Sequence, residues 1–124
     1  MGTPAFRFYN RCVGDLRSQT RVAVHYRVAV RHAGREARGT TENLSERGAM
    51  LSVEIDPPLA AGDPLALELS LPDGTVIGFG GRVCWVSSVL PGMAGIEFDL
   101  PMPEVLVGHI RELLEGRLLP ASVG

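Results

Sequence analysis

From residue 21 to residue 31 the chain alternates strictly. Val22, Val24, Tyr26, Val28 and Val30 fall on one side, and Ala23, His25, Arg27, Ala29 and Arg31 on the other. Successive side chains of an extended chain point to opposite faces, so this run predicts a strand with one buried face. The same period returns along the chain. Ala33-Gly34 turns it, and residues 37 to 41 read as a return strand with β-branched Thr40 and Thr41. Ala49, Leu51, Val53 and Ile55 alternate with Met50, Ser52 and Glu54. Asp56-Pro57-Pro58 ends that run, because proline cannot donate to a ladder. After a turn over residues 60 to 64, Leu65, Leu67, Leu69 and Leu71 face inward. Pro72-Asp73-Gly74 has the composition of a hairpin turn. A long strand is expected over residues 75 to 87 and a last one over 93 to 99, with Ala94, Ile96 and Phe98 inward.

Six short strands at regular spacing predict an all-β fold, a small closed six-stranded antiparallel barrel. Closure removes the unpaired edges that an open sheet would expose. Gly78, Gly80 and Gly81 interrupt the fifth run. No helix pattern follows them, so they predict a bulge or a barrel bend rather than a phosphate loop. Trp85 is expected in the core. The period then changes: Leu106, Ile110, Leu113 and Leu114 form one apolar stripe, after Pro103 and Glu104 and before Gly116. Proline suits a helix's first turn, an acid its positive end and glycine its stop. This predicts a C-terminal α-helix that covers one mouth of the barrel.

A chain of 124 residues with 45% hydrophobic and 21% charged residues suits one globular domain. No apolar run approaches the roughly 20 residues that cross a bilayer. No apolar stretch with a small-residue cleavage site opens the chain, so no signal peptide is expected. Cys12 and Cys84 lack metal-ligand spacing and read as free thiols. His25, His32 and His109 lie on different elements, so no metal is expected. Nothing is spaced to activate Ser45 as a nucleophile, and no cofactor or enzymatic activity is expected. Charge is uneven: residues 1 to 47 hold nine arginines and four acids, and residues 48 to 124 hold three arginines and ten acids. There is no lysine. A basic first half points to an anionic partner, and the planar guanidinium suits phosphate and guanine. Arginine-rich coding in a GC-rich genome explains part of the missing lysine but not the asymmetry.

Two motifs lie in the basic half. Arg17-Ser18-Gln19-Thr20-Arg21 repeats arginine at a spacing of four, just before the first strand. Asn43-Leu44-Ser45-Glu46-Arg47-Gly48 precedes the third. Alone, the second reads as a strand-connecting turn capped by Asn43 and Ser45, with Gly48 permitting φ > 0 or close approach of a ligand. Together, R-x-x-x-R followed by N-x-S-x-x-G resembles the PilZ family of bacterial cyclic di-GMP receptors. The resemblance extends over about residues 17 to 99, through Asp63-Pro64, Val83-Cys84-Trp85-Val86 and Gly95-Ile96-Glu97-Phe98.

The resemblance implies a cytoplasmic receptor that binds cyclic di-GMP through Arg17, Arg21, Asn43, Ser45 and Gly48. The arginines would wrap its phosphates and guanines; the second motif would hold a guanine. Leu16 stands where an arginine goes with a stacked ligand dimer, which leans toward one ligand per domain; Arg11 or Arg47 could add charge. Residues 1 to 20 would form an arm with switch arginines, and residues 21 to 124 the barrel and helix. Binding would change the exposed surface for a downstream protein, in motility, biofilm or polysaccharide control. The oligomeric state stays open between monomer and homodimer. Two other readings remain: a PilZ-like adaptor that binds only protein, and a barrel that binds single-stranded nucleic acid. The single tryptophan, two tyrosines and net charge of −2 make the last a poor fit.

Overall fold

The computed structural model describes residues 20 to 116. The strands are β1 (Arg27–His32), β2 (Arg35–Leu44), β3 (Gly48–Val53), β4 (Pro64–Ser70), β5 (Val76–Val86) and β6 (Met93–Phe98), followed by helix α1 (Glu104–Leu114). All pairings are antiparallel, and the strands close in the order β1-β2-β3-β6-β5-β4. The β1–β4 pair completes the ring, from Arg27 opposite Ser70 to Arg31 opposite Ala66. This is the expected six-stranded barrel with a C-terminal helix. Alternate residues fill it: Val28 and Val30, Leu51 and Val53, Leu65, Leu67 and Leu69, and Ile96 and Phe98 are all buried.

The first strand starts later than its alternation suggests. Val22 makes only an isolated bridge to Leu44, and the ladder begins at Arg27. Val24 and Tyr26 are still buried. A side-chain period shows which face is buried; it does not show that a partner backbone is in register. Here the register breaks, because β2 shifts between Thr41 and Asn43. The buried Thr41 hydroxyl replaces the missing ladder, donating to Val24 O at 2.6 Å and accepting from Tyr26 N at 2.9 Å. Thr41→Val keeps the shape and removes both bonds. It is expected to cost roughly 2 kcal/mol in urea unfolding, because two backbone groups lose their partner. Thr41→Ser should cost less.

Helix α1 lies against the barrel core through Leu106, Ile110 and Leu113, with Leu114 partly buried beside them. At its middle, Tyr26 Oη and His109 Nε2 are 2.8 Å apart, with ring centroids at 5.5 Å. Burial raises the Tyr26 pKa, so the phenol keeps its proton, and the imidazole tautomer sets which of the two donates. Burial also lowers the His109 pKa below 6.5, against smaller opposing effects of Glu112 and Asp73. Between the two pKa values an unfolded chain binds a proton that the folded one does not, so stability is complete above 6.5 and falls on acidification. The urea midpoint of the wild type should therefore drop more between about pH 7.5 and about pH 5.5 than that of His109→Gln.

Three expectations are corrected. The bulge, one of the two outcomes expected at Gly78, Gly80 and Gly81, is absent there, because β5 runs through them in regular pairing with β4. The register shift of β5 lies instead between Val83 and Trp85, against β6. Gly81 serves close packing: a Cβ there would stand 2.9 Å from Ile96 Cγ2 and 3.0 Å from Glu97 O. Trp85 lies outside the core cluster and is half-buried. One extra residue in a strand turns the next side chain to the other face, and Cys84 is that residue. Cys84 is disulfide-bonded, not a free thiol. Sequence spacing reports nothing of spatial proximity, which is what a disulfide needs. Of the expected arm over residues 1 to 20, residues 1 to 19 lie outside the described residues.

Candidate functional site

The N-x-S-x-x-G motif begins inside β2, not in a loop. Leu44 is buried. Without an irregularity Asn43 would share the inward face of Thr41. The shift leaves Glu42 as the extra residue, so Asn43 turns outward and pairs with Met50. The same row continues across the barrel wall: Met50 pairs with Gly95, and Gly95 with Trp85. Two bulges, at Glu42 and Cys84, therefore bring an amide and an indole to one outer surface spanning β2, β3, β6 and β5. Trp85 lies directly over Gly95, where an added Cβ would stand 2.1 Å from its Nε1. Gly95→Ala is expected to expel the indole and raise its exposure, read as a red shift of the only tryptophan's emission.

Ser45 is buried, and its hydroxyl closes its own turn. Its Oγ lies 3.2 Å from both Gly48 N, which donates to it, and Gly48 O, which it reaches as a donor. Ser45 N donates to the same carbonyl at 2.9 Å. Gly48 is buried in β3 opposite Glu97 and has no left-handed φ, one of the two roles its glycine allowed. Ser45 and Gly48 thus hold the turn in shape, and Asn43 presents its amide on the wall beside it.

Arg21 joins them through the one bridge ahead of β1 among the described residues. Val22 N donates to Leu44 O at 2.8 Å, and Leu44 N to Val22 O at 2.9 Å. In an antiparallel bridge the flanking residues also face each other, so Arg21 stands across from Ser45. Arg21 is exposed. Arg47 follows in the same turn; its carbonyl accepts from Phe98 N at 2.8 Å. Arg11, Leu16 and Arg17 lie outside the described residues. Sequence reasoning missed Met50 and Gly95 and misplaced Trp85. The sequence carries no signal for either bulge.

The histidines lie on separate segments, and His25 is 3.8 Å from the Glu42 carboxylate beside Asn43. His25 Nδ1 is 3.1 Å from Thr41 O, and His32 Nε2 is 3.4 Å from Asp63. Among the described residues no three His, Cys, Asp or Glu side chains gather as a metal site, and no helix is long and apolar enough to cross a membrane.

The family model of the PilZ domain matches residues 15 to 116. No curated protein matches the sequence. Three solved structures share the fold at low identity. The PilZ domain of CeSA from a cellulose-synthesizing bacterium is 21% identical with a TM-score of 0.60, over 79% of this chain and 97% of that one. The PilZ domain of YcgR from Escherichia coli, solved with c-di-GMP, is 15% identical with a TM-score of 0.64, over 80% and 88%. The Bacillus subtilis inhibitor of motility MotI/DgrA is 15% identical with a TM-score of 0.66, over 81% of this chain but 49% of its own. A barrel closed in this order, with Val22 bridged to Leu44 of the second motif and a family match across most of its length, identifies the chain as a member of the PilZ domain family.

Proposed function

We propose that this protein is a receptor for cyclic di-GMP that signals to a protein partner and performs no chemistry. The observation that carries this reading is the Val22–Leu44 bridge, which sets exposed Arg21 beside the motif turn and the outward amide of Asn43. Cyclic di-GMP offers two anionic phosphates and two guanines. Guanidiniums form paired hydrogen bonds to phosphate and stack on purines. An amide meets a guanine edge with a donor and an acceptor. Arg17 and Arg21 bracket the ligand, Asn43 binds a guanine, and Ser45 and Gly48 shape the turn beneath it. Trp85 adds a flat apolar surface on the same wall, with two strands between it and Asn43. Closing the arginines over the ligand alters the exposed surface, which a cytoplasmic partner in motility, biofilm or polysaccharide control reads.

Ligand that binds only the folded state raises its stability, by about 2.7 kcal/mol at a hundredfold excess over Kd. A thermal melt should rise with cyclic di-GMP and stay unchanged with GMP. Equal midpoints with and without cyclic di-GMP would end this reading. Trp85 emission should change over the same titration.

A further inference from the structure

A cleft carrying two arginines lies between the β2–β3 turn and helix α1. Glu46, Arg47, Met102, Val107, Ile110 and Arg111 line a cleft of about 180 Å³ there. Arg47 Nε is sealed from solvent and has no hydrogen-bond partner; it is the one such side-chain atom among the described residues. Its residue is half-buried, while Arg111 is exposed at the helix's last turn. Neither guanidinium forms a salt bridge among the described residues. Folded proteins rarely leave a buried donor unsatisfied, because its lost hydration is not repaid, and a bound ion is one standard resolution. Met102, Val107 and Ile110 supply an apolar floor that strengthens any charge interaction above it. Two arginines and one glutamate leave the lining one positive charge, which matches an oxyanion carrying a single negative charge better than a dianion.

We infer that this cleft holds a phosphodiester between Arg47 and Arg111. The group comes either from cyclic di-GMP, in which case the inference rests on the proposed function, or from a separate small phosphodiester. Occupancy ties the motif turn to α1, so the C-terminal helix is part of what the ligand organises. The Glu46 carboxylate at the rim disfavours more highly charged phosphate monoesters.

The test uses the full chain, labelled with ¹⁵N, as wild type, Arg47→Gln and Arg111→Gln. Side-chain Nε–H resonances are followed while dimethyl phosphate is added, and cyclic di-GMP affinity is measured by calorimetry. Dimethyl phosphate should shift the Arg47 Nε–H signal in wild type and not in Arg111→Gln. If both variants also lose cyclic di-GMP affinity by about tenfold, the dinucleotide supplies the group. That loss supports the inference even without a dimethyl phosphate shift. An Arg47 shift with unchanged cyclic di-GMP affinity assigns the cleft to another phosphodiester. If wild type binds no cyclic di-GMP yet shows the shift, the proposed function fails and the cleft stands. No shift together with unchanged affinity, or with no cyclic di-GMP binding at all, overturns the inference. Ligand-free Arg47→Gln should melt no lower than wild type; a clear drop would show that Arg47 serves the fold and would overturn it as well.

Discussion

Arg21→Ala is expected to weaken cyclic di-GMP binding about ten- to a hundredfold, as loss of a charged hydrogen bond worth roughly 1.5–3 kcal/mol requires. Arg17→Ala should do the same. The barrel should survive the Arg21 change, because Arg21 is exposed and the bridge beside it is made by the backbone of Val22 and Leu44. Calorimetry checks the affinity, and a thermal melt without ligand checks the fold. An Arg21→Ala protein that binds as tightly as wild type would remove Arg21 from the site. A protein that binds weakly and also melts early would instead point to damage in the segment leading into β1. Asn43→Ala separates these further, since its side chain lies on the outer wall and its backbone pairing with Met50 is retained.

Gly39→Ala carries the largest expected loss of stability, about 3 kcal/mol, the upper part of the range for overpacking. Gly39 lies in β2 opposite Val53. An added Cβ would stand 2.1 Å from Ser52 O and 2.8 Å from Val53 Cβ. The first of these is backbone, which cannot move aside without opening the β2–β3 ladder. At roughly 4–8 °C per kcal/mol for a domain of this size, the melting midpoint should fall by more than 10 °C. Gly78→Ala is the control. Its nearest neighbour would be Leu67 O at 3.9 Å, an ordinary contact, and the change should be close to neutral. A small effect at Gly39 would mean that β2 and β3 have room to separate there.

Much of the barrel was legible in the chain itself. The alternation at Val24, Tyr26, Val28 and Val30 and at the leucines of β4 named the buried face residue by residue. The change to a 3.6-residue stripe at Leu106, Ile110 and Leu113 marked the one helix among the described elements. The motifs pointed to the surface where Arg21 and Asn43 now stand. Ser45 shows what the motif alone did not: its hydroxyl also braces the turn against Gly48.

Side-chain alternation follows from the geometry of a single extended chain, so wherever the ladder stays regular the sequence alone determined which side chains lie inside the barrel; at the bulges it failed, as with Trp85. Which strand meets which, and in what register, depends on partners far apart along the chain, and no local pattern contains it. Only the tertiary structure therefore placed the bulges at Glu42 and Cys84, which turn Asn43 and Trp85 outward onto one row. It alone set Arg21 across from Ser45, bonded Cys84 into a disulfide and buried Arg47 Nε without a hydrogen-bond partner. Each of these is a contact between distant segments, decided by how the wall closes on itself.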